Sequence, residues 1–320
     1  MLNDLPEAEL WLHTGSEPEP ADFDEFWTRT LVEARTHDTP PRLTAVVSPL
    51  STLEVHDVTF PGFAGEPVRA WYRRPGGAEG PLPVVVQYVG YGGGRGSHLE
   101  GLLWASAGYA HLQMDTRGQG SGWSRGDTAD PWGSGPQVPG VMTRGIEDPE
   151  QYYYRRLFTD GVRAVDAARR LPGVDAGRVA VLGQSQGGAT ALAVGGLVPD
   201  LAAVVAFVPF LCDIPRAIRI TDEYPFREVT DYLATHRDKA DAALRTLAYV
   251  DGVHFARRGR APARFSAALM DSIVPPSTVF AAHNAYAGAK EMRVWPYNGH
   301  EAGAHDDDEE ALHFLARAFA

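Results

Sequence analysis

The sequence predicts an α/β fold, a mostly parallel, twisted sheet with helices on both faces. Three observations predict it. Continuous apolar runs, PLPVVVQYV (81–89), YAHLQMD (109–115) and LAAVVAFVPF (201–210), have the length and composition of strands covered on both sides. They alternate with segments of helical spacing, which implies parallel strands joined by crossover helices. In RVAVLGQSQGG (178–188), a β-type run meets a glycine-flanked turn and opens into the helix-like run ATALAVGGL.

The elements follow in order. Residues 22–36 space Phe23, Phe26, Trp27 and Leu31 at helical intervals, with acids near the start, and predict an amphipathic helix that packs rather than catalyses. Residues 53–60 and 68–73 read as an antiparallel hairpin joined by FPGFAGEP. GLLWASAGYA (101–110) suggests a helix between two core strands. The Gly/Pro-rich stretch 118–149 is too long for a plain connection and is expected to be functional or interface-forming. Residues 152–171 are strongly helical, and 213–250 read as a helical insertion before the next strand, APARFSAALMD (261–271). STVFAAHNAYAGA as helix, MRVWPYNGH (292–300) as strand and EEALHFLARAF as helix close the chain. The 320 residues could hold two domains by length, but α/β folds of this size are often one. We read 1–320 as a single domain with insertions at about 118–150 and 213–250.

Composition excludes several functions. The formal net charge of -12, with no basic stripe, argues against a nucleic-acid partner. The first twenty residues lack a basic and then apolar leader, and no apolar run reaches ~18 residues, so neither a signal peptide nor a membrane span is expected. Cys212 is the only cysteine, which rules out a disulfide within the chain and a cysteine-based metal site. These features read as cytoplasmic.

Gly183-Gln184-Ser185-Gln186-Gly187 is a GxSxG pattern in the context that gives it meaning, a strand-to-helix turn with serine at its apex. Backbone crowding there favours residues without a Cβ two before and two after, which Gly183 and Gly187 supply. A chance match in a chain with 34 glycines is the bland alternative, and the flanking strand and helix weigh against it. Ser185 is therefore the candidate nucleophile of an α/β-hydrolase fold. Its partners should follow in the order acid, then histidine. Asp271 ends an apolar run before SIVPPS, at the sheet edge expected for the acid, although a turn-capping role is the plain alternative. Asp213 is a weaker competitor, and Asp306 to Asp308 read as a solvated cap. His300 follows the last strand and the Asn298-Gly299 turn, where the base is expected. His305 is its main rival, whereas His254, His283 and His313 read as packing or surface residues.

Acyl transfer also needs two donors for the developing oxyanion. The amide after the nucleophile, Gln186, is one. The other is assigned to Tyr91, in the glycine-rich loop 90–96 after a core strand. A phosphate loop is rejected because no GK[ST] follows. His and carboxylate residues gather at no metal spacing, and His300-Glu301 lacks the second His of a zincin, so neither metal nor cofactor is expected.

RGQGSGW (117–123), GQSQGG (183–188) and HE (300–301), with GYGGGRG, MDTRGQG and PPSTVFAAHNAYAG, resemble the acetyl xylan esterase/cephalosporin-C deacetylase family, carbohydrate esterase family seven. The resemblance covers nearly the whole chain. It implies an α/β-hydrolase with a Ser185, Asp271, His300 triad that removes acetyl groups from small esters such as acetylated xylo-oligosaccharides or cephalosporin C-type acetates. It implies oxyanion donors at Tyr91 and Gln186, and a supporting role for Arg117, Gln119 and Glu301. It further implies a ring-like hexamer enclosing an internal chamber, built in part by the insertion after Arg117, and a peroxyacid-forming side activity. Val274 stands where the family tends to carry Cys, and PYNGHEAG differs slightly from the usual form; neither touches a triad position. A peptidase of the same fold would need a subsite for a peptide terminus that nothing in the sequence announces. A hydrolase-fold binding protein would usually have lost a triad member.

Overall fold

The computed structural model describes residues 4–16, 18–133 and 135–320. Nine strands form one sheet: β1 (Arg42–Ala45), β2 (Leu53–Pro61), β3 (Pro67–Pro75), β4 (Leu82–Tyr88), β5 (Ala110–Met114), β6 (Val174–Gln184), β7 (Ala203–Phe207), β8 (Ala263–Ala268) and β9 (Lys290–Trp295). Their order is β1-β2-β3-β5-β4-β6-β7-β8-β9. β1, β2 and β3 pair antiparallel, as β3 does with β5, and every pairing from β5 to β9 is parallel. This is the mostly parallel, two-sided sheet of an α/β-hydrolase.

The alternation of side chains along a strand explains why the core runs read as continuously apolar. Val84 and Val86 on β4, Val179 and Val181 on β6, and Val204 and Ala206 on β7 face the larger cluster, with Trp27, Phe158, Leu192 and Phe255. Val85, Ala180, Leu182, Val205 and Phe207 face the other side and pack on Trp104, Phe314, Leu315 and Phe319. Both faces are apolar because both are covered. Each fully buried Val, Leu or Phe contributes about 1.5–3 kcal/mol.

The helix Phe23–Arg35 buries Phe23, Phe26, Trp27 and Leu31 as its spacing predicts. Trp27 Nε1 donates to the Tyr249 carbonyl at 2.9 Å, which fastens this helix to the segment before β8. That segment holds the helices Ile214–Ile220, Phe226–Thr235 and Ala240–Ala248, as the helical reading of 213–250 expected. Three details differ from the sequence reading. The helix expected over 101–110 is the single turn Leu103–Ser106, bracketed by Gly101 and Gly108 at φ +63° and +101°. β1 was not anticipated, because its four residues are mostly exposed at the sheet edge and carry no alternation. The acidic run before the last helix is not a uniformly solvated cap: Asp307 is buried and accepts from Trp295 Nε1 and the Gly303 amide, while Asp306 is exposed.

Between β5 and the helix Tyr153–Ala168, the described part of 118–149 contains neither helix nor strand. Asp130 anchors it, bonding Arg117, Arg144 and Arg156 at 2.8–3.2 Å while fully buried. No helix among the described residues is long and apolar enough to cross a membrane.

Candidate active site

Ser185 sits between the end of β6 and the helix Gln186–Leu197, at φ 56° and ψ -119°. A non-glycine residue at positive φ is strained, and such strain persists only where its surroundings enforce it. Here the Ser185 amide donates to the Phe207 carbonyl at 2.9 Å, and the Ser185 carbonyl accepts from Ala189 and Phe210. The flanking glycines are required by close approach. A Cβ on Gly183 would lie 2.2 Å from the Gly187 carbonyl carbon, and one on Gly187 would lie 2.3 Å from the Tyr88 oxygen.

Asp271 and His300 meet in the order the sequence suggested. His300 Nδ1 lies 2.8 Å from Asp271 Oδ2. The second carboxylate oxygen, Oδ1, accepts the amides of Ile273 and Val274, both at 2.9 Å, so the Asp271 side chain is buried and fixed in direction. With Nδ1 committed to the carboxylate, Nε2 is the ring nitrogen left to act as base. The His300 carbonyl accepts from Gln184 Nε2 at 3.0 Å, which ties the histidine loop to the residue before Ser185. Ser185 and His300 line the same cavity. Glu301 accepts from Asn298 Nδ2 and the Gly299 amide on the outside of this loop, and hydrogen bonds from its own backbone amide, then Asn298 and Gly299, hold its carboxyl below the usual range.

The rivals lie elsewhere. The His305 side chain is fully exposed at the start of the last helix, 3.4 Å from Asp308. Asp213 is buried against His13 and Ser16. His254 and His283 are buried, and His313 is exposed.

The two assigned oxyanion donors are the amides of Gln186 and Tyr91, and among the described residues neither has a hydrogen-bond acceptor. Gln119 joins the two segments that carry them. Its Oε1 accepts from the Gly92 amide at 2.6 Å, and its Nε2 donates to Gln186 Oε1 and to the Tyr153 hydroxyl, both at 2.8 Å. Gln186 Nε2 reaches back to the Val89 carbonyl, and Tyr154 donates to Gln186 Oε1 at 3.1 Å. Gln119 itself follows Arg117, which is fully buried and bonds Asp160 through Nε and Nη2, and Glu66 and Asp130 through Nη1. Arg117 and Gln119 thus build the frame around the donors and do not enter the cavity.

Several contributors were not singled out in the sequence. Glu228, on the helix Phe226–Thr235, accepts the Tyr91 hydroxyl at 2.6 Å and the Met142 amide at 3.0 Å, and Tyr91 in turn accepts from the Val141 amide. Burial pushes the Glu228 carboxyl up, and it raises the Tyr91 phenol together with the nearby Glu228. Trp123 donates through Nε1 to the Tyr91 carbonyl at 2.8 Å. No local pattern marks Glu228, since its partners are 137 and 86 residues away. The run Tyr152-Tyr153-Tyr154 was a visible signal, but read only as helix.

The cavity holds about 550 Å³ and opens over Ser185, with Tyr91, Trp123, Gln184, Tyr224 and Ile273 in its walls. Among the described residues, no three His, Cys, Asp or Glu side chains converge as a metal site.

Comparison with known proteins gives the family. Residues 1–318 match the acetyl xylan esterase (AXE1) family. The chain belongs to the acetyl xylan esterase family. An acetyl xylan esterase from Paenibacillus sp. R4 superposes with a TM-score of 0.92 at 36% identity, over 98% of this chain and 99% of that one. Acetyl xylan esterase 1 from Thermoanaerobacterium sp. JW/SL YS485 gives 0.92 at 32% identity, over 99% of this chain and 100% of its own. The acetyl esterase Axe7A of Xylanibacter ruminicola is 28% identical over 88% of this chain, which spans only 63% of the length of that relative. In this member of the acetyl xylan esterase family, the departure at Val274 is structurally mild. Its side chain is buried, and its link to the site is the backbone amide bonded to Asp271, which any non-proline residue supplies.

Proposed function

We propose that this chain is a serine esterase that removes acetyl groups from small acetylated substrates, with acetylated xylo-oligosaccharides as the leading class and cephalosporin C-type acetates as a second. The observation that carries the reading is His300, bonded to Asp271 at 2.8 Å and sharing a cavity with a strained Ser185, in a chain of the acetyl xylan esterase family.

His300 takes the Ser185 hydroxyl proton as Oγ attacks the acetyl carbonyl carbon. The developing oxyanion is met by the Gln186 and Tyr91 amides, reinforced by the N-terminal end of the helix Gln186–Leu197. Collapse breaks the ester C–O bond, and His300 returns the proton to the departing alcohol. Water, deprotonated by His300, then releases acetate and restores Ser185. Asp271 stabilises the imidazolium and holds the ring. The same acyl-enzyme could pass its acetyl group to hydrogen peroxide. We further propose a homo-hexamer, for which light scattering is the direct test; a monomer would remove it.

The function is tested by acetate release from acetylated xylo-oligosaccharides and a cephalosporin-type acetate, with p-nitrophenyl acetate and butyrate as controls, in wild type and Ser185→Ala. Ser185-dependent release from the sugar acetates with poor butyrate turnover supports the reading. Activity on butyrate but none on acetylated sugars replaces it with a general carboxylesterase.

A further inference from the structure

The cavity's two flanks differ in chemistry, and the sheet order sets the difference. β5 and β4 lie on one side of the nucleophile strand β6, whereas β7 and β8 lie on the other. The β8 side contributes Ile273, and the helical segment after β7 contributes Tyr224 and Pro225. The β4–β5 side contributes Gln87, Gln113, Glu100, Gly101 and Ser124. Gln87 and Gln113 are paired neighbours across β4 and β5, so their side chains emerge together on one face.

What lies behind these two amides fixes the direction of one and braces the other. Arg73 is fully buried, and the carboxylate that acts on it, Glu100, does so by charge rather than by a direct hydrogen bond. Its Nη1 donates to Gln113 Oε1 at 2.9 Å, and its remaining donors go to the carbonyls of His98 and Ser97. A guanidinium only donates, so the Gln113 oxygen must face Arg73 and the Gln113 NH₂ must turn away from it. His111, also fully buried, places Nε2 2.9 Å from the Gln87 side-chain amide, and burial holds its pKa well below the usual imidazole value. Neither Gln87 Nε2 nor Gln113 Nε2 has an acceptor among the described residues, and both residues line the cavity. Glu100, exposed at the same wall, adds acceptor oxygens; one of them takes the Ser97 amide.

We infer that Gln87, Gln113 and Glu100 form a subsite for the alcohol half of the ester, and that it takes a neutral, hydroxyl-rich group. A fixed amide donor from Gln113, a second amide from Gln87 and a carboxylate match vicinal hydroxyls, each of which accepts one hydrogen bond and donates another. The carboxylate disfavours an anionic leaving group at the same place. Arg73 and His111 are positioning residues that hold the amides from behind. The inference rests on the acetyl-esterase reading above and names the part of the site that would select the sugar.

The test is Gln113→Glu, which keeps the side-chain shape and gives Arg73 a charged partner, but puts an acceptor where the subsite presents a donor. Activity on an acetylated xylobiose is compared with activity on p-nitrophenyl acetate, whose leaving group has no hydroxyls to match. The ratio of the two kcat/KM values is expected to fall roughly tenfold. Inhibition by deacetylated xylobiose should weaken in parallel. Gln87→Met, which leaves Arg73 untouched, should lower the same ratio. A ratio unchanged in both variants overturns the subsite, as does an equal loss on both substrates with unchanged inhibition. A wild type active on p-nitrophenyl acetate but not on the sugar ester overturns the acetyl-sugar reading itself, a separate result.

Discussion

The Ser185 turn and the Tyr91 loop carry the two amides proposed as oxyanion donors, but they are held in different ways. At the turn, restraint comes from backbone set against backbone. Ser185 is held at positive φ by three backbone bonds and by glycines so close that a Cβ on Gly187 would lie 2.3 Å from the Tyr88 carbonyl oxygen. The Tyr91 loop has five glycines among residues 90–96, and its backbone bonds, to the Ser124 and Arg125 carbonyls and from the Gly122 amide, fall on the glycines and not on Tyr91 itself. Side chains from distant segments hold it: Gln119 on the Gly92 amide, Trp123 on the Tyr91 carbonyl and Glu228 on the Tyr91 hydroxyl. One amide is fixed by backbone contacts. The other is fixed mainly by side chains.

Substitutions should separate the two. Gly187→Val meets backbone atoms that cannot give way, so it should break the turn and destabilise the fold by at least about 3 kcal/mol. The check is loss of folded yield or of the thermal transition. Gln119→Leu removes the Gly92 acceptor and a partner of Gln186 while sparing the turn. It should cut kcat by roughly 10²-fold in a protein that still melts cooperatively. Glu228→Gln presents an NH₂ group to one of two donors, the Tyr91 hydroxyl or the Met142 amide, and should lower kcat by roughly tenfold. It also has a pH signature. Burial raises the Glu228 pKa in the fold, so its contribution to stability is fully present below the unfolded value of about 4.3 and is lost as pH rises through the folded value. The melting temperature of Glu228→Gln relative to wild type should therefore improve as pH increases from about 4 to 8. His305→Ala should change kcat/KM by less than about twofold, because the side chain is fully exposed and bonds only Asp308.

The same contrast explains what was legible in the sequence. The turn was legible because sterics demand Gly183 and Gly187 within five residues of chain. Asp271 and His300 were legible because chain order and strand ends place them on one edge of the sheet. The apolar strands were legible because a sheet covered on both faces cannot alternate. Glu228 and Tyr154 escaped because their roles depend on partners 137 and 32 residues away, and an isolated carboxylate or phenol carries no mark of that. Asp307 was misjudged for a related reason: its neighbours in the acidic run are more exposed, while its own carboxylate turns inward to Trp295. The one-turn helix at Leu103–Ser106 was overestimated because its apolar residues satisfy helical spacing, while the flanking glycines at positive φ end it.

The central claim is that acetyl transfer passes through Ser185, with His300 as base. The most direct measurement is mass spectrometry of the protein quenched during turnover of p-nitrophenyl acetate, an activated ester that makes acylation fast relative to deacylation. One added acetyl group is expected, mapped to the peptide bearing Ser185 and lost in Ser185→Ala together with turnover. An acetyl group on a different residue, or undiminished turnover by Ser185→Ala, would contradict it.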